Sequence, residues 1–210
     1  MDYTTILLEL AIVLGSLTVH EAAHAWTADR LGDPTARMLG RLSLNPVVHI
    51  DPIGTILLPL VAAFSGLPIL GWAKPVPVNV SRLREPRAFM LVAAAGPASN
   101  ILLAVVAAIV IRLMVGGQAP LTAGGEALSA PVVLLQIVFI NVLLAVFNLV
   151  PVPPLDGGNV LAGLLPRGAA GLFAAMRPYG FFLLYALMFT GVLTAIVMPP
   201  SYFLIRLLLP

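Results

Sequence analysis

The stretch His20-Glu21-Ala22-Ala23-His24 closes an apolar run that begins near Ile6, and the rest of the chain is interpreted around it. If the run is a helix, residues four apart lie on one face, so the two histidine rings point the same way. Two neutral imidazoles placed like this can hold one zinc ion. Glu21 lies beside the first ring, where it can take a proton from the water that such an ion activates. Ordinary buried core residues are the alternative, but ionisable groups clustered on an apolar helix favour a functional site.

A third metal ligand has to come from elsewhere, because catalytic zinc sites generally use three protein ligands. The chain has no cysteine and one further histidine, His49, so the third ligand is His49 or a carboxylate. The best carboxylate is Asp156, which follows the proline-rich segment 150–154 and precedes Gly157-Gly158. The prolines predict a rigid approach to Asp156, and the glycines predict open backbone beyond it. His49 has no partner at helical spacing, so a plain loop histidine is the favoured interpretation for it.

The composition is that of a membrane protein. Of 210 residues, 60% are hydrophobic and 10% are charged, with a mean hydropathy of +1.05, whereas a soluble domain carries about 25% charged residues. We therefore predict an all-α polytopic membrane protein with one membrane domain over residues 1–210, embedded in the lipid bilayer. The N-terminal run lacks a basic region and contains the paired histidines, so we expect a retained span rather than a signal peptide. We expect no nucleic-acid partner, and the oligomeric state stays open.

Three segments resemble the site-2 proteases, a family of zinc metalloproteases that cleave inside the membrane. They are His20–His24, Gly96-Pro97-Ala98-Ser99-Asn100, and Asn148 to Gly158 with its Leu155-Asp156-Gly157. They follow the family's order and cover roughly residues 5 to 165. The resemblance implies zinc as the cofactor, with ligands His20, His24 and Asp156, with Glu21 as the base, and with Asn148 as a residue that positions substrate or steadies the oxyanion. These 210 residues contain no recognisable PDZ or CBS-type region, so we expect a minimal form of the family.

Apolar runs and turn-rich loops divide the chain into predicted elements. We predict about four to five transmembrane helices together with a re-entrant hairpin and a short extended strand. The spans are placed at 4–28, 88–115, 131–150 and 179–198, the hairpin at 52–71, the strand at 74–80, and a partly apolar helix at 158–177. The tail from Ser201 to Pro210 is too short to span and is expected along the interface.

The hairpin prediction follows from parity, since residues 52–71 are long enough to cross the membrane. The paired histidines lie at the far end of the first span, and Asp156 follows the span 131–150. An even number of crossings must separate them if they share one ion. The spans 88–115 and 131–150 already provide two crossings. We therefore predict that residues 52–71 enter and leave the membrane on the same side.

The alternating prolines and valines of Lys74-Pro75-Val76-Pro77-Val78-Asn79-Val80 favour an extended conformation whose edge cannot pair throughout. A surface loop is one interpretation of this segment. The other is a strand that clamps an extended substrate by β-addition along Lys74, Val76 and Val78.

Three asparagines interrupt the apolar spans. For Asn100, which follows small residues, we expect helix packing and interhelical hydrogen bonding rather than catalysis. Asn141 and Asn148 lie two helical turns apart on one face. Interhelical bonding is the expected role of Asn141. Asn148 is the better functional candidate, because it shortly precedes Asp156.

The charge distribution predicts the orientation, because basic residues concentrate on the cytoplasmic side of membrane proteins. If the N-terminus is outside, nine of the eleven basic residues lie on the cytoplasmic side, together with the predicted site. We therefore predict a multi-pass, zinc-dependent endopeptidase that cleaves single-span membrane proteins in regulated intramembrane proteolysis. A membrane metal transporter is one alternative, but transporters tend to show internal repeats. An inactive scaffold is the other, but it would be expected to lose Glu21 or a ligand.

Overall fold

The computed structural model describes residues 3–58, 61, 64, 71–85, 87–115 and 129–209, and the regular elements in these ranges are helical. The α-helices in chain order are α1 (Tyr3–Arg30), α2 (Thr35–Met38), α3 (Ala88–Val115), α4 (Ala130–Asn148), α5 (Asp156–Leu164), α6 (Arg167–Met176), α7 (Gly180–Phe189) and α8 (Val192–Leu208). Short 3-10 helices occupy Pro46–His49, Val80–Arg82 and Arg177–Tyr179, and a π-helix occupies Pro52–Leu57.

Three long helices, α1, α3 and α4, form the centre of the fold. Each is long and apolar enough to cross a membrane, and their ends differ from the predicted spans by two residues or fewer. Helix α3 packs against both α1 and α4. On the α3 side its contact with α4 is built largely from alanines, whose small side chains let two helix backbones approach closely in a lipid environment. The buried members of this contact are Ala104, Ala107, Ala108, Ile111, Val138 and Val142.

The loop after α1 is tied to the segment that leads into α3. Asp33 is fully buried and accepts hydrogen bonds from the Asn79 N–H at 2.6 Å and the Thr35 N–H at 3.1 Å. Burial alone would raise the pKa of Asp33, but a hydrogen bond from the Thr35 hydroxyl, together with these two backbone N–H groups, holds that pKa below its ordinary value. The Arg84 N–H donates to the Leu31 carbonyl at 3.0 Å. These contacts hold Asn79 and Arg84 against the C-terminal end of α1 and the turn that follows it.

The two ends of the predicted hairpin 52–71 lie side by side. The Trp72 N–H donates to the Gly54 carbonyl at 3.2 Å, and the Thr55 hydroxyl donates to the Trp72 carbonyl at 2.8 Å. A segment that crossed a bilayer would have its ends about 30 Å apart. Residues 59–60, 62–63 and 65–70 lie outside the described residues, so the hairpin stays a prediction that these contacts support.

The predicted strand at 74–80 is not confirmed. Residues 71–79 have no regular secondary structure, and the described parts of the chain contain no β-strand. The reason is local: Pro75 and Pro77 lack an N–H to donate, and the carbonyls of residues 74 and 75 accept hydrogen bonds from the buried Arg41 at 2.6 and 3.2 Å. No continuous row of backbone groups remains for a partner strand.

The last predicted span, 179–198, is not one helix. Helices α7 and α8 meet at a break around Thr190-Gly191, and the two arms are bent by 77°. Gly191 has a φ of 75°, a left-handed conformation that glycine adopts at little cost. The predicted helix at 158–177 is likewise divided into α5 and α6. Among the described residues, three helices are long and apolar enough to span, or up to four spans if the bent pair counts as one, so the predicted count of four to five is not confirmed.

The C-terminal tail belongs to the helical bundle rather than to a separate interfacial segment. Helix α8 continues to Leu208, and Leu204, Ile205 and Leu208 pack on the contact between α3 and α4. Arg112 on α3 donates to the Leu208 carbonyl at 3.0 Å. The residues from Ser201 onward are too few to span alone, but they continue α8, which carries Pro199 and Pro200 in its interior.

Candidate metal centre

The paired histidines of α1 and the first residue of α5 converge on one point. The Nε2 atoms of His20 and His24 lie 3.1 and 3.3 Å from Oδ2 of Asp156. Both rings are buried, and their centroids are 4.6 Å apart. The ligand atoms of the three residues lie within 4.8 Å of one another. The structure therefore brings together the three residues that the sequence proposed as metal ligands.

The far side of each ring is occupied by an oxygen acceptor. Nδ1 of His24 donates to the backbone carbonyl of Val92 at 2.7 Å, and Nδ1 of His20 lies 2.6 Å from Oδ1 of Asn100. In a neutral imidazole whose Nδ1 carries the hydrogen, Nε2 carries a lone pair. Both lone pairs then face the Asp156 carboxylate.

This donor set fits a zinc ion. Oδ2 of Asp156 is buried and has no hydrogen-bond partner among the described residues. Two imidazole nitrogens and one carboxylate oxygen are a common ligand set of catalytic zinc, which leaves a coordination position for water or substrate. Lone pairs that face one another without a hydrogen between them are stabilised by a cation. His49, the other candidate ligand, lies outside this group and donates from Nε2 to the Ser43 carbonyl at 2.9 Å.

Asp156 is placed by a compact turn between α4 and α5. Hydrogen bonds link Val152 N–H to the Val150 carbonyl and Leu155 N–H to the Val152 carbonyl, at 2.7 and 2.9 Å. The double glycine that follows does not leave open backbone, which corrects the expectation from the sequence. A Cβ at Gly157 would collide with the Leu149 carbonyl oxygen, and one at Gly158 would lie 2.9 Å from the Pro153 nitrogen. The glycines let the chain fold back closely enough to present Asp156.

Gly96 packs directly against the two histidine rings. It lies in α3, and a Cβ built on it would be 2.6 Å from Nε2 of His20 and would also collide with Nε2 of His24. The sequence predicted close packing for the segment Gly96–Asn100. The structure agrees and adds that the packed neighbours are the two candidate ligands.

A cavity of about 750 Å³ opens onto the three candidate ligands. Its walls include Glu21 and Asn148 together with apolar side chains of α1 and α4. Trp72 and Phe181 meet at one side with ring centroids 5.4 Å apart. The cavity is large enough for a peptide segment, since small-molecule sites commonly measure about 300–1,000 Å³.

Glu21 lines this cavity and is held by the segment 71–79. Its Oε2 accepts the Val76 N–H at 3.0 Å. Val76 and Val78 line the cavity, whereas Lys74 is exposed and meets its neighbours through its backbone, donating to the His49 carbonyl at 2.8 Å. The base proposed from the sequence and two of the three proposed clamp residues therefore face one space.

Asn148 also lines the cavity, and its Nδ2 donates to the carbonyl of Leu144 in its own helix at 2.9 Å. Two contacts were not predicted from the sequence, although the interhelical hydrogen bonding expected of Asn100 is present. Arg41 anchors the carbonyls of residues 74 and 75, and Asn100 contacts His20 as well as neighbouring helices. A signal for Arg41 was its place after a glycine in a turn-rich loop; for Asn100, the signal was an amide within an apolar span.

Comparison with known proteins gives a consistent result. The sequence profile of Peptidase family M50 matches residues 8–190. A Bacillus subtilis (strain 168) protein named "Putative zinc metalloprotease YwhC" is 40% identical over 88% of this chain and 81% of its own length. A Mycolicibacterium smegmatis protein named "Putative zinc metalloprotease Rip2" is 31% identical over 89% of this chain and 68% of its own length. No solved structure matches. The chain belongs to Peptidase family M50, the site-2 protease family, and is an integral membrane zinc metalloprotease by that membership.

Proposed function

We propose that the protein is an endopeptidase that cleaves transmembrane segments of single-span membrane proteins within the bilayer. His20, His24 and Asp156 hold the zinc ion, and Glu21 is the catalytic base. The observation that carries the proposal is the convergence of three ligand atoms within 4.8 Å, in a cavity that Glu21 shares and that lies among helices long enough to span a membrane. A carboxylate beside the ligands supports hydrolysis over simple metal binding.

Glu21 is positioned for the two proton transfers of peptide hydrolysis. Zinc bound at this site would activate a water and polarise the scissile carbonyl. Oε2 of Glu21 accepts the Val76 N–H at 3.0 Å, which orients the carboxylate and leaves Oε1 to take the proton of the attacking water. The same carboxyl group returns that proton to the leaving amine.

The segment 71–79 holds the substrate in an extended form. Its backbone carbonyls at residues 74 and 75 are anchored by Arg41, so the segment is rigid where it passes Glu21. Val76 and Val78 face the cavity, and their carbonyls have no hydrogen-bond partner among the described residues. An unwound substrate can donate its N–H groups to them, which is recognition by backbone addition without a preformed strand. Lys74 contributes through its backbone.

Asn148 orients the substrate from its place in the cavity wall. One hydrogen of its amide is used by the Leu144 carbonyl at 2.9 Å. Its second hydrogen and its oxygen have no partner among the described residues, so they can bond to the substrate. This placement suits a group that donates to the scissile carbonyl as negative charge develops on its oxygen. The substrate must be locally unwound there, because helical hydrogen bonds shield peptide carbonyls. Membrane segments weakened by glycine or proline meet that requirement.

The active site lies toward the cytoplasmic face of a multi-pass protein. The paired histidines and Asp156 meet at one point, so α3 and α4 return the chain to the side on which α1 ends. Residues 30–87, from the last residue of α1 to the residue before α3, contain seven of the eleven basic residues. A concentration of basic residues in short loops marks the cytoplasmic side.

The proposal is tested with purified protein reconstituted in liposomes together with candidate single-span proteins. Mass spectrometry of the products locates the cleaved bond. The proposal expects cleavage within the transmembrane segment, lost when a chelator removes zinc and regained when zinc is restored. Cleavage confined to the extramembrane parts, or cleavage that survives zinc removal, would contradict it.

A further inference from the structure

A chain of buried amides connects three membrane-spanning helices to His20. Asn100 of α3 and Asn141 of α4 are both fully buried, and Ser16 of α1 is 5% exposed. Nδ2 of Asn141 lies 2.9 Å from Oγ of Ser16 and 2.9 Å from the Ile137 carbonyl. Nδ2 of Asn100 lies 2.8 Å from Oδ1 of Asn141 and 3.4 Å from the Ser16 carbonyl. Oδ1 of Asn100 lies 2.6 Å from Nδ1 of His20.

The direction of these hydrogen bonds is set at Asn141, the amide of the network that is farther from His20. The carbonyl oxygen of Ile137 can only accept, so the nitrogen of Asn141 must face it. The oxygen of Asn141 then faces Asn100 and requires the nitrogen of Asn100 there. The Ser16 carbonyl favours the same orientation of Asn100 more weakly, because it lies 3.4 Å from Nδ2. Oδ1 of Asn100 is thereby turned toward His20, and Nδ1 of His20 must carry the hydrogen.

The second candidate ligand is oriented more simply. Nδ1 of His24 donates directly to the Val92 carbonyl at 2.7 Å, and a carbonyl cannot reverse its role. An amide can rotate and offer its nitrogen instead of its oxygen. Asn100 is therefore a reliable acceptor for His20 only while other groups fix its orientation. Of the two groups that do so, Asn141 makes the shorter hydrogen bond, at 2.8 Å against 3.4 Å for the Ser16 carbonyl, and is the main one.

We propose that Asn141 is a positioning residue of the zinc site: acting through Asn100, it fixes the tautomer and ring orientation of His20 so that Nε2 faces Asp156. Asn141 itself does not contact His20, Asp156 or the cavity among the described contacts. Partners of the ligands commonly control metal affinity, and replacing them commonly lowers it about 10–100-fold. The inference concerns the site of the proposed peptidase, but its readout is zinc binding and does not require proteolysis.

A purely structural role is the competing explanation, because asparagines between membrane helices also stabilise helix packing. The two explanations differ in one respect. Packing predicts that removing Asn141 lowers thermal stability and leaves zinc affinity unchanged. The proposed relay, from Asn141 through Asn100 to His20, predicts that zinc affinity falls. It also predicts that the affinity is restored when residue 100 is an acceptor that works in either orientation of its side chain. Aspartate is such an acceptor, since either carboxylate oxygen can accept from His20.

The experiment measures the zinc dissociation constant of the purified full-length protein in detergent, by competition with a chelator. We expect Asn141→Leu to weaken zinc binding by about tenfold or more, and the double variant Asn100→Asp with Asn141→Leu to regain most of that loss. Gln136→Leu removes an amide from the same helix outside the relay and is the matched control, with unchanged zinc affinity. Asn141→Ala replaces Asn141→Leu if the latter does not purify folded.

A second readout follows the tautomer directly. The chain has three histidines, so ¹⁵N-histidine labelling gives three resolvable rings in the NMR spectrum. The Nδ1–H form of His20 should be fixed in the wild type and mixed with the Nε2–H form in zinc-free Asn141→Leu. Wild-type zinc affinity and an unchanged His20 signal in Asn141→Leu would overturn the proposal, as would a loss of affinity that Asn100→Asp fails to restore.

Discussion

Replacing Gly96 by alanine should displace the two histidine ligands, whereas α3, the helix that contains position 96, should stay folded. A Cβ at position 96 lies 2.6 Å from Nε2 of His20, and ordinary contact begins at 3.4 Å. The ring must therefore retreat by about 0.8 Å, several times the ~0.2 Å tolerance of zinc–ligand distances. His24 is crowded by the same atom, so both histidines move.

The expected result is a loss of zinc affinity of about tenfold or more. Crowding in a packed interior also destabilises by about 1–3 kcal/mol, partly offset by the roughly 1 kcal/mol that alanine gains over glycine in a helix. The assay is chelator competition for zinc, with thermal unfolding measured alongside.

Gly15→Ala is the matched control for this prediction. Gly15 lies in α1, the helix that carries the histidines, and a Cβ there meets no atom within 4 Å. Its zinc affinity should stay at the wild-type value, with equal or slightly higher stability. Wild-type zinc affinity in Gly96→Ala would show that the rings do not lie against Gly96, and would refute the reasoning.

Three further predictions concern the third ligand, the substrate segment and the topology. Asp156→Ala should lose bound zinc, whereas His49→Ala should keep most of it; the reverse pattern of metal contents would reject Asp156 as the ligand. Arg41→Leu leaves the backbone carbonyls of residues 74 and 75 without their hydrogen-bond donor. It should lower the free energy of unfolding by about 3 kcal/mol and abolish most cleavage, with the zinc content unchanged; a normal cleavage rate would show that anchoring of this segment is not needed for activity. Thr35→Cys and Ser81→Cys should both be shielded from an impermeant thiol reagent in intact cells, and labelling of only one would mean that residues 52–71 span.

The parts of the site that the sequence could predict are those governed by short-range periodicity. His20 and His24 share a face because residues four apart do so in any helix. Asp156 stood out because prolines before it and glycines after it restrict the backbone locally. The three long spans were found for a similar reason, since an apolar run of that length has few alternatives in a membrane protein.

The parts that the sequence could not predict depend on contacts between distant residues. Asn100 was expected to pack between helices, but its partnership with His20 joins residues eighty positions apart. The sequence around Asp156 predicts open backbone at the two glycines, whereas Gly157 packs against Leu149, a contact that a local pattern of residues does not encode. The break at Gly191 could not be predicted because the sequence stays apolar on both sides of it. Hydropathy is averaged over many residues and does not report the left-handed backbone conformation of one glycine.

The most direct test of the central claim measures bound zinc and cleavage in the same preparations of wild type and Glu21→Gln. Glutamine keeps the length and the hydrogen-bonding shape of the side chain but cannot take the proton from the attacking water. The account predicts about one zinc per chain in both proteins, with cleavage within the transmembrane segment in the wild type and none in the variant. Cleavage by Glu21→Gln at a rate near that of the wild type would contradict it.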